Sequence, residues 1–177
     1  DTSSLVPVRA NSATKLLLLV PGETHVPGDV SNSGKSGSSA SATAGTYTAG
    51  NVWKATVTVV DNWYNTVTNA TGNVWFVTSD PYDVEGTTQP LVSGTTSFAI
   101  QMVQAGSQSM SVYHIGSTYS TGTVTGIPMT AGSANRVLVI LPGEVYLPGK
   151  PPYTIGSGTG GKQTPDSPST QVAGTPF

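Results

Sequence analysis

The stretch SATKLLLLVPGETHVPG, residues 12–28, dominates the sequence, because a second copy, SANRVLVILPGEVYLPG, occupies residues 133–149. The two copies lie at a constant offset of 121 residues. The correspondence begins upstream, where Val6-Pro7-Val8 falls on Ile127-Pro128-Met129. A motif that recurs at a fixed spacing indicates a tandem array of like domains. The sequence therefore predicts a repeat of roughly 120 residues.

This period divides the chain into three parts. Residues 1–10 align with residues 122–131 and are expected to be the end of a preceding repeat. Residues 11–130 are predicted to form one complete repeat. Residues 131–177 are predicted to begin the next one, with its first strand and a long loop rich in Gly, Ser and Pro.

The composition is that of a hydroxyl-rich, turn-rich β protein. Charged residues make up 9% of the chain, against about 25% in an average soluble domain, whereas Ser and Thr supply about a quarter of it. A net charge of -2 offers no basic patch for nucleic acid or for an anionic membrane. The longest apolar run, Leu16–Val20, is far shorter than the roughly 20 residues that span a bilayer. The absence of Cys excludes a disulfide framework and Cys-based metal or redox chemistry.

Short apolar runs separated by turn residues predict strands, and no segment has the spacing of an amphipathic helix. In residues 52–60, Trp53, Ala55, Val57 and Val59 alternate with mostly polar residues and should share a buried face. The predicted strands cover residues 15–20, 52–60, 73–79, 95–104, 107–115 and 117–127. This pattern predicts an all-β, immunoglobulin-like antiparallel β-sandwich, with a closed barrel as the alternative. Residues 21–50 are predicted to be a long loop.

Two segments, residues 55–81 and 91–112, carry a resemblance to a known family. Their features are a strand ending in Val60-Asp61, a strand closed by Ser79-Asp80-Pro81, and a strand that ends at Ala105-Gly106. In these features the chain resembles the bacterial Ig-like repeats of the invasin and intimin type, and the filamin-like repeats of long bacterial surface proteins. Members of this family act as stalks, fibres and adhesion modules. The resemblance implies an extracellular protein, at the cell surface or secreted, that is not an enzyme. The long loop after the first strand departs from the family pattern.

Two Gly-Lys spots imitate a phosphate-binding loop. Gly156, Gly161 and Lys162 have the GxxxxGK spacing but are followed by Gln163, and Gly34-Lys35-Ser36 lacks the first Gly. Both spots lie in loops with no strand before and helix after, which such a loop needs. The two histidines, His25 and His114, have no GxSxG elbow beside them. The sequence therefore predicts no enzyme activity.

The few acidic residues suggest a calcium site between repeats. Asp80, Asp83 and Glu85 cluster in one turn, and Asp61 directly follows a strand. Because the strands alternate in direction, Asp61 should lie at one end of the sandwich and the acidic turn at the other. Carboxylates and Asn oxygens are suitable Ca²⁺ ligands, and the acidic turn of one repeat would face the Asp61 loop of the next. Asp and Asn also occur in turns for backbone reasons alone, which is the alternative. Apart from this calcium, no cofactor is predicted.

Three further surface features are predicted. Asn69-Ala70-Thr71 fits the N-glycosylation pattern. Trp63 and Tyr64 follow a strand and are the best candidates for contact with a ligand such as a cell-surface glycan. Trp53 and Trp75 are expected in the core.

The sequence is best interpreted as a structural segment or subunit of an extracellular filament or stalk, built from head-to-tail copies of this repeat. An adhesin or carbohydrate-binding module is the alternative. The first strand and the Pro-Gly-Glu loop are expected to pack between neighbouring copies. These predicted interface residues are Leu16, Leu18, Pro21, Gly22, Glu23, Val139, Pro142, Gly143 and Glu144.

The neighbouring copies can belong to one long chain or to separate subunits. If 177 residues are the whole subunit, the strand at 133–141 would leave an open edge. Donation of that strand to the next subunit would then build a filament. In a longer chain the same packing would be covalent, which the copied motif favours. The mass of the denatured protein separates the two arrangements.

Overall fold

The structure is a computed structural model that describes residues 7–84, 86–116, 118–154, 156, 158–163 and 168–176. The described part is all-β, with one short 3₁₀ turn at Ser39–Ser41. The strands in chain order are β1 (Lys15–Leu19), β2 (Glu23–His25), β3 (Lys35–Gly37), β4 (Val52–Val60), β5 (Asn73–Thr78), β6 (Gln89–Pro90), β7 (Thr95–Gln101), β8 (Gly106–His114) and β9 (Gly122–Met129). None of the described residues forms a helix long and apolar enough to cross a bilayer.

Two antiparallel sheets make a sandwich. One sheet has the order β1-β4-β7 and the other has the order β6-β5-β8-β9. The strand β4 is the centre of the first sheet, where Val57 pairs with Leu18 on one side and with Thr96 on the other. The short hairpin β2–β3 lies outside both sheets. The architecture is therefore a β-sandwich with one appended hairpin.

The core lies between the sheets and follows the alternation of the strands. On β4, Trp53 is 5% exposed, and Ala55, Val57 and Val59 are fully buried, which confirms the predicted face. The opposite sheet supplies large side chains such as Phe76, which contacts Phe98 edge-on at 5.0 Å between ring centroids. The buried members of this core lie between Leu16 and Met129, with Ala10 and Ala13 packed against it.

Isolated bridges join the two sheets along their edges. Lys15 forms a parallel bridge with Ser120, and the amide of Leu16 donates to the carbonyl of Ser120 at 2.9 Å. Beyond the other end of β9, Thr48 forms a parallel bridge with Thr130. The strand β1 is therefore held by β4 on one side and by the segment before β9 on the other.

The strand predictions in residues 15–127 are confirmed to within a few residues at their ends, except the last, which begins at Gly122 instead of 117. The predicted loop at 21–50 is only partly a loop, because it contains the β2–β3 hairpin. The strand expected at 133–141 does not form: these residues are described and have no strand partner. The expectation that Trp75 is a core residue was wrong, since its side chain is 39% exposed.

Candidate functional site: the repeated hairpin and its junction

The first motif copy, residues 12–28, ends in a hairpin organised by one carboxylate. The Glu23 side chain accepts a hydrogen bond from the amide of Val20 at 3.0 Å and pairs with the Lys35 ammonium at 3.1 Å. Both charged side chains are mostly buried, with 10% and 17% exposure. A carboxylate in such a place needs donors, because its burial without them is costly. Glu23 therefore fixes the turn after β1 and the two strands of the hairpin at once.

The second motif copy, residues 133–149, builds the same arrangement. The Glu144 side chain accepts from the amide of Leu141 at 2.5 Å and pairs with the Lys162 ammonium at 2.9 Å. Glu144 occupies the position of Glu23, at the offset of 121. Its side chain is 2% exposed. The same sequence motif thus folds into the same local structure at two places in the chain.

Several backbone hydrogen bonds of the first hairpin recur in the second. In the first copy, Val26 donates to Gly34 and Gly34 donates to Asp29. In the second copy, Leu147 donates to Gly161 and Gly161 donates to Lys150. The bridge between His25 and Lys35 has its counterpart between Tyr146 and Lys162. The equivalence is therefore structural and extends beyond the quoted motif.

An insertion at the tip of the second hairpin hides this equivalence in the sequence. Asp29 and Asn32 are three residues apart, whereas their counterparts Lys150 and Thr159 are nine residues apart. The Gly-Lys spots that imitate phosphate loops are consequently the same position in the two copies, where each Lys pairs with a motif Glu. Beyond them, Thr46 donates to Thr43 and Thr175 donates to Val172 in two matching AGT turns. Allowance for an insertion would have revealed both matches.

The two copies differ in what surrounds their apolar strand. In the first copy, Leu16, Leu17 and Leu18 are 3%, 4% and 1% exposed. In the second copy, the counterparts Val137 and Val139 are 92% and 63% exposed. The second copy thus has a formed hairpin and an unpaired apolar segment before it.

The second hairpin packs against a corner of the sandwich. A Cβ added to Gly149 would lie 2.9 Å from the Cα of Gln104 and 3.0 Å from its amide nitrogen. Gly149 has a φ of 74°, a conformation that favours glycine. Nearby, the Tyr153 hydroxyl donates to the carbonyl of Gly149 at 2.8 Å. Partial burial raises the pKa of the Tyr153 phenol, and the charges of Asp80 and Tyr82 add to this effect.

The corner itself is held together by Asp80, which is 2% exposed. Its carboxylate accepts from the amides of Tyr82 at 2.9 Å, Val103 at 2.5 Å and Gln104 at 2.8 Å. The Asp80 corner, defined as the turn 80–82 with the loop 103–104, is therefore a rigid platform under Gly149.

A second buried carboxylate, Asp61, has the same kind of role at the other end of the sandwich. It is 1% exposed and accepts from the amides of Asn11, Trp63 and Asn65 at 2.8 to 2.9 Å. Burial opposes ionisation of Asp61, but these bonds and one from the Asn65 side chain outweigh it and lower the pKa. Asp61 thereby fastens the residue before the first motif copy to the loop after β4.

The residues predicted to bind calcium are placed apart. Asp61 follows the last residue of β4, whereas the Asp80 corner lies beside its first residue, about 25–30 Å away along a nine-residue strand. Asp83 accepts from the Thr78 hydroxyl at 2.6 Å, and Glu85 lies outside the described residues. Within the described ranges, no three Asp, Glu or His side chains are grouped as metal ligands would be. Calcium between neighbouring copies stays a prediction.

The predicted interface residues fall into two groups. Leu16 and Leu18 lie in the core of their own sandwich, with 3% and 1% exposure, and their part in a contact between copies stays a prediction. Pro21, Gly22 and Glu23 serve the same sandwich, since the Pro21 carbonyl accepts from the Tyr47 hydroxyl and a Cβ at Gly22 would meet Ser38. In the second copy, Val139, Pro142 and Gly143 are exposed, whereas the Glu144 side chain is buried. The contact with the neighbouring structure is made by Gly149, a residue outside the predicted set.

The aromatic candidates are also separated by the structure. Trp63 is 59% exposed, but the Tyr64 ring packs against Gly34 and lies 3.9 Å below the Lys15 ammonium. Trp75 stacks on Tyr113 across β5 and β8, with 4.9 Å between ring centroids. Asn69, the predicted glycosylation residue, is exposed in a turn.

Each of the two histidines makes a contact with a nearby tyrosine. His25 Nε2 lies 2.8 Å from the carbonyl of Tyr64. His114 packs against the Tyr119 ring at 4.4 Å between ring centroids.

Comparisons of the chain with protein-family models, with characterised proteins and with solved structures find no match. The described geometry is therefore the basis on which a function can be inferred.

Proposed function

We propose that this chain is a structural segment of an extracellular filament or stalk, in which Ig-like sandwiches follow one another head to tail. The observation that carries this proposal is the second hairpin at 141–162. It reproduces the ion pair and backbone bonds of the first hairpin, and it rests on the Asp80 corner of the sandwich before it. A chain that begins a second domain directly on the end of the first is organised as an array.

The strand arrangement supports the Ig-like part of the proposal. With the β2–β3 hairpin set aside, the first, second and fifth strands share one sheet, and the third, sixth and seventh share the other. This division is that of Ig sandwiches, in which strands A, B and E oppose strands C, F and G. The fourth strand, β6, joins the second sheet.

The exposed apolar segment supports the array. Val137 and Val139 match Leu16 and Leu18 of β1, which pair with β4 and lie in the core, and Ile140 matches Leu19, which also pairs with β4. An apolar strand with open backbone groups is normally paired or covered. In the proposed array, the strand of the next copy that is equivalent to β4 pairs with residues 136–140. A low-charge surface rich in Ser and Thr suits such a fibre.

The test is the shape of longer chains. The unit 10–130 contains the core from Leu16 to Met129, Ala10 packed against it and the Asn11 amide that donates to Asp61, so it should fold by itself. Chains of two, four and six such units in tandem should be rods in small-angle scattering, growing by about 30–40 Å per unit. Flexible beads without fixed orientation, or a single unit that fails to fold, would contradict the proposal.

An adhesin or carbohydrate-binding module is the second candidate, because Trp63 offers an exposed aromatic ring. Tyr64 contributes less to this candidate, since its ring is packed against Gly34. Binding of the chain on a glycan array that is lost in Trp63→Ala and kept in Trp75→Ala would favour this candidate.

A further inference from the structure

We infer that the surface around Gly28 is a docking surface for the Asp80 corner of a second copy of this sandwich. This inference rests on the proposed function, because it assumes that like sandwiches meet. It assigns which face of the first hairpin receives the neighbour, and which residues the neighbour presents.

The inference starts from the contact that the chain already contains. Gly149 of the second hairpin lies against Gln104, so closely that a Cβ there would be 2.9 Å from the Cα of Gln104. Gly28 holds the same position in the first hairpin, with a φ of 84° against 74° at Gly149. No atom of the described residues lies within 4 Å of a Cβ placed on Gly28. The same backbone shape is therefore occupied in one copy and open in the other.

The neighbouring side chains agree with this difference. Pro27 and Gly28 are exposed, whereas Pro148 and Gly149 are partly covered. Two apolar side chains near Gly28 are exposed, Val30 at 49% and Trp63 at 59%. Trp63 belongs to this surface because its carbonyl accepts from the amide of Gly28 at 3.0 Å. The amide of Val30 donates to the carbonyl of Gly28 at 3.1 Å, so both exposed apolar residues flank the glycine that a neighbour would approach.

The partner is specified by the corner that Gly149 contacts. Asp80 holds the amides of Val103 and Gln104 in place, and this loop is what the glycine approaches. A side chain at the glycine position would prevent the approach of the two backbones. The Gly28 surface therefore fits a second Asp80 corner, which every further copy of the sandwich would carry.

The experiment is cross-linking in a two-unit chain. Residues 1–132 are followed by residues 12–177, so that the hairpin with Gly28 comes directly after a complete sandwich. The chain has no cysteine of its own. Cysteines replace Gln104 in the first unit and Pro27 in the second, and a short bismaleimide joins thiols that lie close together. The reference is the 177-residue chain with Gln104→Cys and Pro148→Cys. The control is the two-unit chain in which Thr125→Cys, on the exposed face of β9 in the second unit, replaces Pro27→Cys.

The expected rate of the 104–27 cross-link is within about threefold of the reference and about 100-fold above the control, because docking raises the effective concentration of the thiols. Gly28→Ala in the second unit should slow this reaction severalfold. In the reference chain Gly149→Ala should slow the 104–148 reaction, whereas Gly28→Ala should not, although both substitutions place an alanine at a positive φ.

Failure of the inference and failure of the proposed function give different results. A rod-shaped two-unit chain in which the 104–27 pair reacts no faster than the control would overturn the docking surface and leave the array standing. Two folded units without a fixed orientation would overturn both. If the chain binds glycan through Trp63, a two-unit chain with Trp63→Ala in the first unit should not bind it, because the docked neighbour covers the remaining ring. Binding kept in that variant would also overturn the docking surface.

Discussion

Residues 16–20 and 137–141 have the same apolar pattern, but one segment is a buried strand and the other is open to solvent. The hairpins that follow them, in contrast, are alike in ion pair, backbone bonds and glycine conformation. The difference shows that the hairpin is specified locally by its own Glu, Lys and Gly. The strand is not, because it needs β4 and the core to bury it.

The far end of the chain shows the same contrast in reverse. Val8 matches Met129, yet Val8 is 92% exposed and Met129 is 3% exposed. Met129 ends β9 and packs into the core, whereas the described residues before Asn11 form no strand and only Ala10 among them packs against the core. In both comparisons, the matched apolar residues are therefore buried only in the copy that belongs to the complete sandwich.

The largest expected effect comes from shortening matched leucines in the two segments. Leu17 is 4% exposed, although it lies outside the core cluster, and its counterpart Leu138 is only half-buried beside the second hairpin. Leu17→Ala should lower the free energy of unfolding of the sandwich by about 2–5 kcal/mol, as buried leucines do. Leu138→Ala should change it by less than about 0.5 kcal/mol. Urea unfolding of both variants measures the difference, and equal losses would show that the two segments are buried alike.

Substitution of Asp61, the carboxylate that anchors the first motif copy, should have a medium effect on the free energy of unfolding. Asp61→Asn replaces an acceptor of three amide hydrogen bonds by a group that presents its own N–H, which should cost about 1.5–3 kcal/mol at neutral pH. The counterpart of Asn11 in the second copy is Gly132, for which no such anchor is formed among the described residues.

The pH dependence of this effect has a fixed sign. The folded pKa of Asp61 is lowered, so its stabilisation is complete above the unfolded value of about 3.9 and is lost as the pH falls through the folded pKa. The gap in stability between the parent chain and Asp61→Asn should therefore narrow below about pH 4. The exposed-loop variant Asp29→Asn serves as the control with a small effect, because its partner Asn32 is also exposed. A gap that stays constant down to acid unfolding would contradict the role given to Asp61.

The smallest expected effect separates local from global stability. Glu23→Gln and Glu144→Gln each remove an ion pair from a hairpin, so both should speed amide exchange at the paired lysines. Only Glu23→Gln should also lower the stability of the sandwich, by about 1 kcal/mol, because its hairpin follows a core strand directly. A loss of sandwich stability in Glu144→Gln would show that the second hairpin is part of the same folding unit.

Much of the sandwich could be predicted from alternation, and the reason is physical. In β4 the alternation of apolar and polar side chains fixes which face is buried, and Trp53 to Val59 follow it. In β5 the run from Val74 to Val77 is apolar throughout, so its pattern does not say which side chains point inward. Val74 and Phe76 take the core, and Trp75 is left on the outer face.

The junction could not be predicted in the same way. Gly149 contacts Gln104, 45 positions earlier, at a distance that leaves no room for a side chain. A contact of this kind produces no periodic pattern in the sequence, so it could not be predicted from one. The correspondence of Lys35 and Lys162 was present in the sequence but displaced by the longer tip of the second hairpin. Asp61 and Asp80 were recognised as special, but their burial as backbone acceptors depends on loops distant in sequence.

The most direct test of the account is amide exchange in residues 137–140 before and after the second sandwich is completed. Residues 49–132 are appended after Phe177, which continues the second copy from the point that matches its AGT turn. In the 177-residue chain, the amides of residues 137–140 should exchange quickly, while those of residues 16–19 are protected. Leu141 and Val20 are left out of the comparison, because their amides donate to Glu144 and Glu23 in both chains. In the completed chain, the account predicts that both segments are protected to a similar degree. Fast exchange at 137–140 beside a folded second sandwich would contradict the claim that the two motif copies are the same structural unit.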